Sequence, residues 1–128
     1  MLAGGSGGVI PFRCEATEVP GATVVRATGE LELATVGDLE KALDAAVRAG
    51  RHVAVDLSEL SYLDSTGLRA LITYSQLCHA QRLRLAVVTP AGAPGKLFRT
   101  SGLDRRLPLF DSLDAALQFL REGSASSQ

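Results

Sequence analysis

Four consecutive residues, Asp64-Ser65-Thr66-Gly67, set a carboxylate, two hydroxyls and a glycine between two apolar runs. Three kinds of chemistry are open to them. Ser65 is a nucleophile if a base lies within hydrogen-bond reach. Asp64 or Ser65 is a helix cap if its oxygen accepts from the backbone N–H groups that follow. Ser65 is a phosphate acceptor if a kinase reaches it. Leu68, Leu71, Ile72, Ser75 and Cys78 follow at helical spacing, so a helix starts here. The unpaired N–H groups of its first turn, with the helix dipole, should favour an anion. A cap needs one oxygen, and three are present. Glycine in a first turn costs up to ~1 kcal/mol relative to alanine. It is easier to understand if something must approach the backbone closely.

The catalytic readings lack parts. A nucleophile elbow reads G-x-S-x-G, whereas this stretch reads L-D-S-T-G. The histidines are His52 and His79. His52 begins an apolar run that leads toward the Asp64 loop, so it belongs at the far end of that strand. His79 lies down the helix, on the order of 20 Å from Ser65 at 1.5 Å per residue. Cys78-His79 lacks further ligands at metal-site spacing. Asp56 is more simply the polar end of a buried strand than the partner of Asp64. "AGAPG" (91–95) has no Lys-Ser/Thr after its glycine and is a strand-to-helix loop, not a phosphate loop.

The elements that position these residues follow from periodicity. Residues 12–17 suit an edge strand, Pro20-Gly21 a turn, and "ATVVRATG" (22–29) a second strand paired to the first as a hairpin. Thr35 with Asp38 resembles a capping box, and Val36, Leu39, Leu43, Ala46 and Val47 trace a first helix that stops at Gly50. "HVAVDL" (52–57) and "LRLAVVT" (83–89) are short apolar runs, as in strands covered on both faces. Pro94 opens a short third helix that Gly102 ends, with Leu103 packing back on it. "LPLF" (107–110) is a short edge strand. Ser112 caps a last helix with Leu113, Ala116, Leu117 and Leu120 inward. The order β-β-α-β-α-β-α-β-α predicts an α/β fold: one mixed, mostly parallel sheet of about five strands, with about four helices largely on one face. The folded unit is expected over residues 10–122, between a glycine-rich linker (1–9) and a loose tail (123–128).

Composition bounds the function classes. The 128 residues suit one domain, and 46% hydrophobic content supplies an aliphatic core. Thirteen basic against fourteen acidic residues, with no basic stripe, argue against nucleic acid as a partner. No run approaches ~18 apolar residues, and the N-terminus lacks the charged and apolar regions of an export signal. A cytoplasmic protein is expected, with Cys14 and Cys78 as reduced thiols rather than a disulfide.

"GELELATVGDLEKAL" (29–43), "VAVDLSELSYLDSTGLRALI" (53–72) and "KLFRTSGLDRRLPLFDSLDAAL" (96–117) together resemble the STAS domain of bacterial anti-sigma factor antagonists. The most specific part is D-S-[ST]-G-L after a strand ending D-L-S. The resemblance implies a non-enzymatic binding module. Its unphosphorylated form would bind an anti-sigma factor and release the sigma factor. The anti-sigma factor would also be a serine kinase, binding ATP and Mg itself and phosphorylating the serine after the motif aspartate, here Ser65. A serine phosphatase would reverse the mark, and this chain would carry no cofactor or metal. Asp64, Thr66, Gly67, Glu30 and Glu32 would shape the phosphorylation loop and the partner surface, with Thr66 the lesser acceptor. The family commonly reads G-E-L-D where this chain has Gly29-Glu30-Leu31-Glu32, a carboxylate one methylene longer. The alternative is a STAS subunit of a stress-signalling or transporter assembly whose serine is not phosphorylated.

Overall fold

The computed structural model describes residues 11–100, 102 and 106–126. The glycine-rich segment 3–8 and Leu103, expected to close a helix cap, lie outside them. The chain runs β1 (Arg13–Val19), β2 (Ala22–Leu31), α1 (Val36–Arg48), β3 (His52–Asp56), β4 (Leu60–Leu63), α2 (Ser65–Ala80), β5 (Leu85–Val88), α3 (Gly92–Thr100), β6 (Leu109–Phe110) and α4 (Leu113–Ser126). β1 and β2 form the expected antiparallel hairpin, and every other pairing is parallel. The order is β1-β2-β3-β5-β6, with β4 pairing the end of β2.

Strand alternation divides the core. Val25, Ala27, Val53, Val55, Leu85 and Val87 face α1, α2 and α3, together with Leu39, Leu43, Leu71 and Phe98 of those helices. Ala22, Val24, Ala54, Ala86 and Val88 face α4 through Ala116 and Leu120. The second face is built mainly of alanine and valine, so one helix can lie close against it. Three helices thus share one face and α4 takes the other. Ser112 caps α4 as expected, its Oγ accepting from Ala115 N at 3.1 Å. The helix continues to Ser126, within the segment whose composition suggested a tail. Each added residue of an established helix gains a hydrogen bond without a new nucleus.

A sixth strand exceeds the five expected. β4 is four residues long, and its buried leucines, Leu60 and Leu63, are three apart rather than two. Its register on β2 shifts between Gly29 and Glu30. The irregularity removes the alternation by which a strand is read from sequence. β4 matters because it delivers the chain to Asp64.

Candidate functional site

The ends of β2 and β4 lie side by side. Leu31 pairs with Leu63, and Asp64 N donates to Leu31 O at 3.3 Å. The loops that follow, residues 32–35 and residue 64 into α2, therefore leave the sheet together.

Asp64 is the N-cap of α2, in extended conformation. Its Oδ1 accepts from Thr66 N at 2.9 Å and from Gly67 N at 3.3 Å. Its carbonyl accepts from Leu68 N at 3.2 Å. Asp64 thus performs the capping, one of the two roles open to it in the sequence, and its carboxylate is the anion that this helix start holds. Two first-turn N–H groups already face the chain's own carboxylate. Ser65, left over from that task, is the first helical residue and is exposed. Its hydroxyl makes no hydrogen bond among the described residues. Thr66 is half-buried.

Gly67 is buried, and the group that approaches it closely is the chain itself. A Cβ there would stand 2.8 Å from Leu63 Cδ1 and 2.9 Å from Leu31 Cδ2. Both leucines buttress the first turn of α2, so the glycine serves packing, not access for a ligand. It supports the Ser65 loop from beneath.

The neighbouring loop is tied by its own side chains. Thr35 Oγ1 donates to Glu30 O at 2.7 Å and accepts from Glu32 N at 3.0 Å. Glu32 Oε1 accepts from Ala34 N at 2.5 Å. The expected capping box at Thr35 does not form: Thr35 occupies the N-cap position of α1 but makes no side-chain cap bond. Its hydroxyl is committed to the loop instead. The Glu32 carboxylate folds back on Ala34 N as the shorter carboxylates of Asp56 and Asp64 do on Ser58 N and Thr66 N, so the added methylene does not change this turn. Glu30 is exposed, and no ion-pair partner for it occurs among the described residues. Leu33, at the loop's tip, is 77% exposed, and Tyr62, paired with Glu30, is 49% exposed. No local pattern in the sequence sets either residue apart.

No general base stands near Ser65 among the described histidines. His52 opens β3, and its Nδ1 accepts from Arg84 N at 3.0 Å at the opposite end of the sheet. His79 lies at the far end of α2. Cys14 and Cys78 are free thiols. Burial, then Asp38 and Glu15, pushes the Cys14 thiol up to about 11, and burial pushes Cys78 to about 11. Neither forms a ready thiolate. No group of three or more histidine, cysteine or carboxylate side chains suited to a metal occurs among the described residues. No described helix is long and apolar enough to cross a membrane.

Comparison with known proteins places this geometry. The STAS domain model matches residues 13–116. The anti-sigma-F factor antagonist RsfB of Mycobacterium tuberculosis is 31% identical over 104 residues, covering 80% of this chain and 84% of the relative. The anti-sigma-B factor antagonist of Staphylococcus epidermidis is 34% identical over 80 residues, 62% of this chain and 74% of the relative. The crystal structure of an anti-sigma factor antagonist from Mycobacterium paratuberculosis superposes with a TM-score of 0.75 at 28% identity, covering 87% of this chain and 95% of the other.

Proposed function

Because the chain belongs to the STAS domain family, we propose that it is an anti-sigma factor antagonist switched by phosphorylation of Ser65. Unphosphorylated, it binds a kinase-type anti-sigma factor in the cytoplasm and so frees a sigma factor. The kinase holds ATP and Mg. The Ser65 hydroxyl oxygen attacks the γ-phosphorus, the bond to the ADP oxygen breaks, and the hydroxyl proton passes to a base on the kinase. A serine phosphatase hydrolyses the ester. This chain is substrate and ligand in the cycle, and catalyses nothing.

The observation that carries the reading is the exposed Ser65 hydroxyl, unbonded among the described residues, beside a neighbour that has taken over the capping. Modification costs the fold no hydrogen bond of that side chain. The relatives' shared designation as antagonists supports the partner class. A phosphate would add about −1.5 to −2 charges. The capping carboxylate of Asp64 occupies two of the N–H groups that could have neutralised it. In an interface such a charge is hard to desolvate. A penalty of ~4 kcal/mol corresponds to roughly a thousandfold loss of affinity.

Incubating the purified chain with the serine-kinase anti-sigma factors of the same genome and Mg-ATP should add one phosphate by mass spectrometry. Ser65→Ala should abolish the addition, and the phosphorylated chain should lose about a thousandfold in affinity at unchanged melting temperature. Absence of any mass shift with every such kinase overturns the reading.

A further inference from the structure

We infer that Leu33 is an apolar anchor that inserts into a pocket of the anti-sigma factor, a pocket rimmed by Lys or Arg side chains that meet Glu30. The inference rests on the proposed function and names the contact chemistry of its partner. A single exposed leucine on a surface is ordinary. What distinguishes Leu33 is how it is mounted. Three contacts made by side-chain oxygens hold the loop around it: Thr35 Oγ1 to Glu30 O, Glu32 N to Thr35 Oγ1, and Ala34 N to Glu32 Oε1. Two backbone bonds, Thr35 N and Val36 N to Glu32 O at 3.0 and 2.8 Å, close it further. The tip is held in shape although its side chain is 77% exposed and packs on nothing that requires it. Such a loop is restrained by its own hydrogen bonds before any partner arrives, which lowers the cost of binding.

The position also fits. Of the three exposed large hydrophobics among the described residues, Leu33 and Tyr62 stand at the joined ends of β2 and β4, the strand ends from which the chain runs into Ser65. Leu77 is near the other end of α2.

Charge selects the occupant. Residues 29–35 and 60–67 carry Glu30, Glu32 and Asp64 and no Lys or Arg. A second copy of this chain would meet its own acidic patch and be repelled, and nucleic acid and anionic lipid are disfavoured in the same way. A protein surface with an apolar pocket and a basic rim is complementary. A dry contact at Leu33 would also make a charge on nearby Ser65 costly to bury, so anchor and switch would reinforce each other.

The test is calorimetric titration of the full unphosphorylated chain into each purified serine-kinase anti-sigma factor of the same genome. Wild type is compared with Leu33→Ala, Leu33→Asp and, as a control on a remote exposed leucine, Leu77→Ala. We expect Leu33→Ala to weaken binding at least tenfold and Leu33→Asp further, with Leu77→Ala within twofold of wild type and all melting temperatures unchanged. Binding of Leu33→Ala within twofold of wild type overturns the anchor and leaves the proposed function standing. No binding by the wild type to any of these factors overturns the proposed function and the anchor with it.

Discussion

The two ends of the sheet carry similar inventories of polar side chains and use them oppositely. At the amino ends of β2, β3 and β5 the polar groups turn inward on the fold. Arg51 donates to the carbonyls of Val19 and Ala22 (2.6 Å for the latter) and, through Nε, to Thr23 Oγ1 at 3.2 Å. Arg84 donates to Phe119 O at 3.2 Å, and its guanidinium lies 4.5 Å from the Phe119 ring centroid. His52 accepts from the Arg84 backbone. At the carboxyl ends of β2 and β4, Asp64, Thr35 and Glu32 also bond the backbone, but in doing so they hold Leu33 and Ser65 outward. One end uses its polar groups to close the molecule; the other uses them to present two side chains. On the proposed function, what marks the binding end is not polarity but polar groups committed to displaying a residue that the fold does not need.

Substitutions should separate the two uses. Gly67→Val should have the largest effect on stability, a loss of about 2–3 kcal/mol by denaturant titration, because the branched side chain must displace Leu31 and Leu63. It should impair partner binding as well, since the Ser65 turn rests on those leucines. Arg51→Ala should cost about 2 kcal/mol through the lost carbonyl contacts, with affinity for the anti-sigma factor unchanged. An affinity loss there would erase the distinction between the ends. Asp64→Ala should cost about 1 kcal/mol as a lost cap. It also sharpens the comparison. With Thr66 N and Gly67 N released, phosphorylation of Ser65 should raise the melting temperature relative to the unphosphorylated variant, whereas in wild type it should not.

The smallest expected effect is a pH dependence of the closed end. Burial, followed by the nearby Arg84 charge, lowers the pKa of His52 below its ordinary 6.5. The folded state therefore binds this proton less readily than the unfolded chain. The contribution is present above pH 6.5 and is lost as pH falls through the folded-state value. Protonation also removes the Nδ1 acceptor from Arg84 N. Melting temperature should decline as pH falls from 6.5 through the folded-state value, and His52→Asn, whose Oδ1 can stand in for Nδ1, should flatten the decline. Equal slopes for the two proteins would exclude His52 as its source.

Several elements are plain in the sequence because their signals are local. The hairpin turn at Pro20-Gly21, the helical spacing from Val36 to Val47, the doubly buried runs at 52–57 and 83–89, and the Ser112 cap each depend on near neighbours. β4 was hidden because its leucines follow no period of two. The Thr35-Asp38 pair misled because the same hydroxyl had a better use across the loop, at Glu30 O. Gly67 in a first turn signals a close approach, but the approaching groups, Leu31 and Leu63, are not identifiable without the pairing of β2 with β4.

By itself the sequence determined the α/β class, the helix start at Asp64-Ser65-Thr66-Gly67, and the family motif that makes Ser65 the residue of interest. Periodicity, turn chemistry and caps act over a few residues, and a linear reading captures them. Only the tertiary structure decided how the motif's parts divide their work: Asp64 inward as cap, Gly67 beneath as packing space, Ser65 outward with a hydroxyl unbonded among the described residues, and Leu33 at the tip of the neighbouring loop. Those assignments depend on two strand ends 32 residues apart, Leu31 and Leu63, meeting in one register. Only chain folding brings such positions into contact.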